Sequence, residues 1–146
     1  KWYAEQGRLG LQDEPLYPGM FKLINELKNH KEFNIGVATN KSRIALNNGL
    51  NKHNLNEIFD ITLTMEEARP KPDPDMAIQA MSKLNIKKKS TIIVGDTIND
   101  IGLGVNAGIN SIGVAWGYNS IEMLRNEGAN FIIKDSEELF DTIMNL

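Results

Sequence analysis

Apolar residues recur along this chain with two periods, and the switches between them lay out an alternating series of strands and helices. Met20, Leu23, Ile24 and Leu27 repeat at helical spacing after the Tyr17-Pro18-Gly19 step, which predicts an amphipathic helix ending near His30. Phe33 to Thr39 reads as a buried strand. Ser42 is placed to cap a second helix running to about His53, with Ile44, Ala45 and Leu50 as its apolar positions. Phe59, Ile61 and Leu63 alternate over a short strand. A proline-broken loop, Arg69-Pro70-Lys71-Pro72-Asp73-Pro74, then precedes a helix through Ala77, Ile78, Met81 and Leu84. Further on, the pattern predicts a strand over Thr91 to Val94, a helix over about Asp100 to Ala107 and a strand over Ser111 to Ala115. A short helix over Ile121 to Glu127, a strand over Phe131 to Ile133 and a terminal helix over Ser136 to Met144 complete the series. Strands alternating with helices in this way imply βαβ units, hence a three-layer α/β fold with a Rossmann-like parallel sheet.

Composition narrows the picture without identifying a ligand. The 146 residues suffice for one domain with a real core, and 41% apolar with 24% charged residues is ordinary for a globular protein. A net charge of -3 gives no electrostatic reason to expect nucleic acid or an anionic membrane as partner. The absence of cysteine excludes disulfides and thiol chemistry and favours a reducing, cytoplasmic setting. No apolar run approaches the roughly 20 residues of a membrane helix. Residues Lys1 to Glu14 are mixed and polar, with Gly7 and Gly10 breaking any long helix, and the chain starts on Lys, as a processed or truncated piece would.

Three strand ends carry polar residues that could do chemistry. Thr39-Asn40-Lys41-Ser42 follows the first predicted strand, where a hydroxyl and amides at a helix start can bind a phosphate oxygen, or can simply cap the helix. Lys71, between two prolines, is presented from a stiff loop either to a phosphoryl group or to solvent. Asp96 and Asp100 lie four residues apart where a buried strand opens into a helix, so that two hard oxygen donors converge as Mg²⁺ prefers; Asp100 could instead only complement the helix dipole. Gly102, Gly104 and Gly108 fall inside the helical segment rather than in the strand-to-helix turn. They therefore read as packing positions, not as a dinucleotide fingerprint. His30 and His53 read as capping or surface residues, Lys87-Lys88-Lys89 as a solvated run, and Met65, Met76, Met81 and Met123 as core filling.

The ordered set Thr39-Asn40-Lys41, Lys71 in Arg-Pro-Lys-Pro-Asp-Pro, and Val94-Gly95-Asp96-Thr97-Ile98-Asn99-Asp100 resembles the second, third and fourth motifs of the haloacid dehalogenase-like hydrolase superfamily. The Thr-Asn-Lys form and the later Trp116-Gly117-Tyr118-Asn119 are similar to its phosphoglycolate phosphatase branch. The resemblance covers about Leu16 to Leu146. It implies that Thr39 binds the transferring phosphoryl group with the Asn40 amide beside it. It also implies that Lys71 offsets charge in the transition state, that Asp96 binds Mg²⁺ and that Asp100 supports the metal site. The family's first motif, a strand ending in Asp-x-Asp-Gly-Thr that supplies the nucleophile, is absent from this sequence; Asp73-Pro74-Asp75 has the spacing but follows a proline loop.

The expectation is therefore a C-terminal piece of a Mg²⁺-dependent phosphatase. It would act on a small phosphorylated metabolite such as 2-phosphoglycolate through an aspartyl-phosphate, and this piece alone would be inactive. A phosphomutase, a pyrophosphatase or an inactive phosphate- or partner-binding domain are the alternatives. Residues 1–14 would be the remnant of a helical cap and 15–146 the core. That core would lack its first central strand, leaving unpaired backbone groups and an unstable or self-associating chain.

Overall fold

The computed structural model describes Trp2–Tyr3 and residues 16–146. In chain order the elements are β1 (Trp2–Tyr3), α1 (Met20–Asn29), β2 (Gly36–Ala38), α2 (Arg43–Lys52), β3 (Ile61–Leu63) and α3 (Asp75–Leu84). A 3₁₀ turn (Lys88–Ser90) leads to β4 (Ile92–Gly95), α4 (Ile98–Ala107), β5 (Asn110–Val114), α5 (Ile121–Glu127), β6 (Phe131–Ile133) and α6 (Ser136–Met144). Every pairing is parallel, in the order β3-β2-β1-β4-β5-β6. The three-layer α/β fold is as the alternating periods predict.

Period-two alternation splits the strands between two helical layers. Val37, Ile92, Val94, Ile112 and Val114 face α1, α2 and α6, meeting Leu23, Leu46 and Leu139 among others. Ala38, Leu63 and Ile93 face the opposite way, onto Met76, Ala77 and Ala80 of α3 and Leu103 and Ala107 of α4. Each such fully buried Val, Leu, Ile or Met side chain stabilises by about 1.5–3 kcal/mol, and the alanines by less. α5 packs on β5 and against α4.

Helix ends follow local chemistry. Ser42 caps α2 by accepting from the Ala45 N–H at 3.2 Å, Ser120 caps α5 and Asp135 caps α6. His30 and His53 occupy the C-caps of α1 and α2. Gly104 packs as expected: a Cβ there would sit 3.0 Å from Ile93 and from Ser111. Gly108 has a different reason to be glycine, since it ends α4 in the left-handed region at φ +70°.

Several sequence expectations need correction. Where a missing central strand was expected, β1 lies between β2 and β4 and pairs with both, although it has two residues against the four of β4. Of the segment expected to be a cap remnant, Trp2 and Tyr3 lie in the sheet and the rest falls outside the described residues. The strand predicted over Phe33 to Thr39 has ladder pairing only at Gly36–Ala38, because its neighbour β3 is itself three residues long. Ile44, Met65 and Met123 are exposed rather than core residues. Leu46 takes the inward position of α2, while Met76 is buried and Met81 packs against the core.

Candidate functional site

The carboxyl ends of β2 and β4 flank β1 in the sheet, and the loops leaving them carry the polar groups singled out in the sequence. This edge is where open α/β sheets bind ligands. Thr39 follows β2 directly and is buried. Its N–H donates to the Leu63 carbonyl at 3.0 Å, and its hydroxyl accepts the Lys41 N–H at 3.2 Å. Ser42 caps α2 through the Ala45 N–H, and Glu66 Oε1 accepts the Arg43 N–H at 3.1 Å, so neither Thr39 nor Asn40 is its N-cap.

Lys71 is not the solvated lysine that a proline-rich loop could present. It is 4% exposed, and its Nζ donates to Asp100 Oδ1 at 2.5 Å. Asp100 is 0% exposed, and its second oxygen accepts from the Thr97 hydroxyl at 2.8 Å and the Thr97 N–H at 3.1 Å. Thr97 and Asp100 thus form a capping box at the start of α4. The Thr-x-x-Asp spacing that builds it is legible in the sequence, so Thr97 is a site residue that the pattern could have supplied. Both oxygens of Asp100 are engaged, one by a cation and one by the helix start.

Asp96, at the end of β4, is held differently. Its Oδ2 accepts the Tyr118 N–H at 2.8 Å and the Tyr17 hydroxyl at 3.3 Å. The Asn119 N–H donates to the Asp96 carbonyl at 3.0 Å, and Asn119 Oδ1 accepts the Ile98 N–H at 2.9 Å. The segment Gly117-Tyr118-Asn119 therefore clasps Asp96 and the first residue of α4. Two glycines make room for the acids: a methyl group on Gly117 would overlap Asp96, and one on Gly95 would overlap Asp100. In the sequence Tyr17 marks only a boundary and Trp116-Gly117-Tyr118-Asn119 only a resemblance, because the contacts of Tyr17 and Tyr118 with Asp96 cross 79 and 22 residues and leave no local periodicity.

Burial pushes the Asp96 carboxyl above its ordinary range, the Tyr118 N–H opposes this, and the charge of Asp100 adds to it. Asp96 is thus a buried hard oxygen donor at the sheet edge, beside an Asp100 whose two oxygens are already taken by Lys71 and Thr97. Among the described residues no group of three or more His, Asp or Glu converges into a complete cage. No helix among them is long and apolar enough to cross a membrane.

The loop leading to Lys71 is braced from α2. Arg43 Nε meets Glu67 Oε1 at 2.9 Å, its Nη1 donates to the Thr62 hydroxyl at 2.7 Å, and Glu67 accepts from both the hydroxyl and the N–H of Thr64. The Arg43 hydrogen bond leads in holding the Glu67 carboxyl down to about 2; burial opposes it, and the Thr64 bonds assist. A depressed folded-state pKa contributes stability that is present above the unfolded value of 4.5 and lost as pH falls toward 2. Glu67→Gln is expected to lower the urea midpoint at neutral pH toward its acid value and so to flatten its fall across that window. An unaltered acid slope would remove Glu67 from this role.

Fold and site together define an α/β protein whose ligand groups gather at the carboxyl edge of a parallel sheet. Residues 3–114 match the family model described as haloacid dehalogenase-like hydrolase, and the chain belongs to that family. Pyrophosphatase PpaX of Bacillus velezensis is 30% identical over 124 residues, covering 84% of this chain and 57% of that protein. The crystal structure of a predicted phosphatase from Clostridium acetobutylicum is 33% identical with a TM-score of 0.79, covering 89% of this chain and 60% of that one. A predicted phosphoglycolate phosphatase from Haemophilus somnus superposes with a TM-score of 0.80 over 88% of this chain and 57% of its own; at 24% identity this is a likeness of fold. The chain spans less than two thirds of each of these relatives.

Proposed function

We propose that this chain carries the phosphoryl- and cation-binding part of a Mg²⁺-dependent phosphatase acting on a small phosphorylated metabolite such as 2-phosphoglycolate. The observation that carries the reading is the buried Lys71 ammonium, held by Asp100 at the same sheet edge as Thr39 and Asp96. A fixed ammonium in a site of low dielectric stabilises charge that develops on phosphoryl oxygens. The Thr39 hydroxyl and the Asn40 backbone amide bind and orient those oxygens without adding negative charge. Asp96 would hold Mg²⁺, which when bound would neutralise phosphoryl charge, and Asp100 supports that site through Lys71. The 146 residues hold no strand ending in Asp-x-Asp-Gly-Thr to supply a nucleophilic aspartate, so on their own they are expected to release no phosphate.

Family membership and the 30% identity to a pyrophosphatase favour one second reading, in which inorganic pyrophosphate is the substrate. Phosphate release from 2-phosphoglycolate and from pyrophosphate, measured on the product of the whole reading frame with Mg²⁺ and with a chelator, separates the two. Asp96→Asn in that protein is expected to abolish Mg²⁺-dependent turnover while the far-UV spectrum stays unchanged. Undiminished rates in the variant would sink the metal assignment.

A further inference from the structure

We infer that Asn40 is a positioning residue for Lys71: its side-chain amide clamps the Lys71 backbone and so aims the ammonium. In Pro70-Lys71-Pro72 the prolines have no N–H, which leaves Lys71 the sole backbone donor of the three. That donor goes to Asn40 Oδ1 at 2.8 Å, and Asn40 Nδ2 donates back to the carbonyl of the same residue at 3.0 Å. One planar amide thereby holds both sides of a single Cα, 31 residues away in sequence. Among side chains of this length only asparagine offers a donor and an acceptor together; aspartate accepts at both oxygens, and glutamine sets its amide one methylene further out.

With its Cα held, the Lys71 side chain runs inward and ends on Asp100. Other contacts hold the next residue from α4. Asn106 Nδ2 donates to the Pro72 carbonyl at 3.0 Å, and a Cβ on Gly102 would lie 2.8 Å from Pro72. Loss of the Asn40 clamp therefore leaves the loop docked and frees only the Lys71 peptide. The catalytic value of the clamp rests on the phosphatase reading above, but its existence does not, and the test reads geometry without turnover.

The test is brief acylation of the full chain with acetic anhydride, with Lys71 labelling read by peptide mass spectrometry against exposed Lys22, and with hydrogen exchange followed at the Lys71 amide. Asn40→Ala is expected to speed exchange at Lys71 by on the order of tenfold, the factor one net hydrogen bond supports. The same variant should raise the ratio of Lys71 to Lys22 labelling while amides of β2 and β4 keep their protection. Asn40→Asp keeps the acceptor for the N–H and loses the donor to the carbonyl. It is expected to restore amide protection at Lys71 while labelling stays raised. Unchanged labelling and exchange in Asn40→Ala would overturn the inference. So would a rise shared by the β2 and β4 amides, which would mark Asn40 as merely structural.

Discussion

Asp100→Asn is expected to cost the folded chain about 3–5 kcal/mol, the range found when one member of a buried ion pair is removed. Measured by urea unfolding, that loss is a large share of the roughly 5–15 kcal/mol typical of a domain. The size follows from burial: Lys71 is 4% and Asp100 0% exposed, so the ammonium left behind has neither solvent nor a counter-charge. Asparagine has a single acceptor oxygen, so it can serve either Thr97 or Lys71 but not both as the carboxylate does. Lys71→Met in the same background removes the stranded charge, and the double variant is expected to recover most of the stability. The coupling from the four proteins then measures the pair. A single variant within about 0.5 kcal/mol of the parent would show that the pair is not buried as described.

That pair also marks the limit of what the sequence made legible. The four-residue spacing of Asp96 and Asp100 at a strand end was readable because strand and helix periods change there. Lys71 was not, because what buries it is a helix 29 residues downstream, and a lysine between prolines has the same local sequence whether it faces water or a carboxylate. Asn40 had two local readings, cap or phosphate ligand, and its side chain instead bonds a backbone 31 residues away. Apolar identity misled at Ile44, Met65 and Met123. A helix or turn residue can be apolar and exposed, and only the neighbouring elements decide. The roles of Gly95 and Gly117 are likewise tertiary: each is small because a carboxylate from another turn or strand end fills the space where its Cβ would be.

Gly117→Ala is the sharpest way to separate Asp96 from its clasp. The added methyl would occupy the position of the Asp96 Cβ, so one of the two backbones must move. Asp96 is anchored directly after β4 in mid-sheet, whereas Tyr118 in the β5–α5 loop is 58% exposed, so the loop yields. Overpacking of this kind costs about 1–3 kcal/mol, expected as a lower urea midpoint. As the loop withdraws, Asp96 loses the Tyr118 N–H, the contact that most opposes the upward push of burial on its carboxyl. Ionised Asp96 then becomes harder to reach. Hydrogen exchange at the Tyr118 amide is expected to rise by on the order of tenfold, matching one lost hydrogen bond. Tyr118→Phe, which keeps the N–H, should leave that amide protected. Equal protection in Gly117→Ala and the parent would mean that Asp96, not the loop, gives way. The clasp would then be too rigid to be displaced.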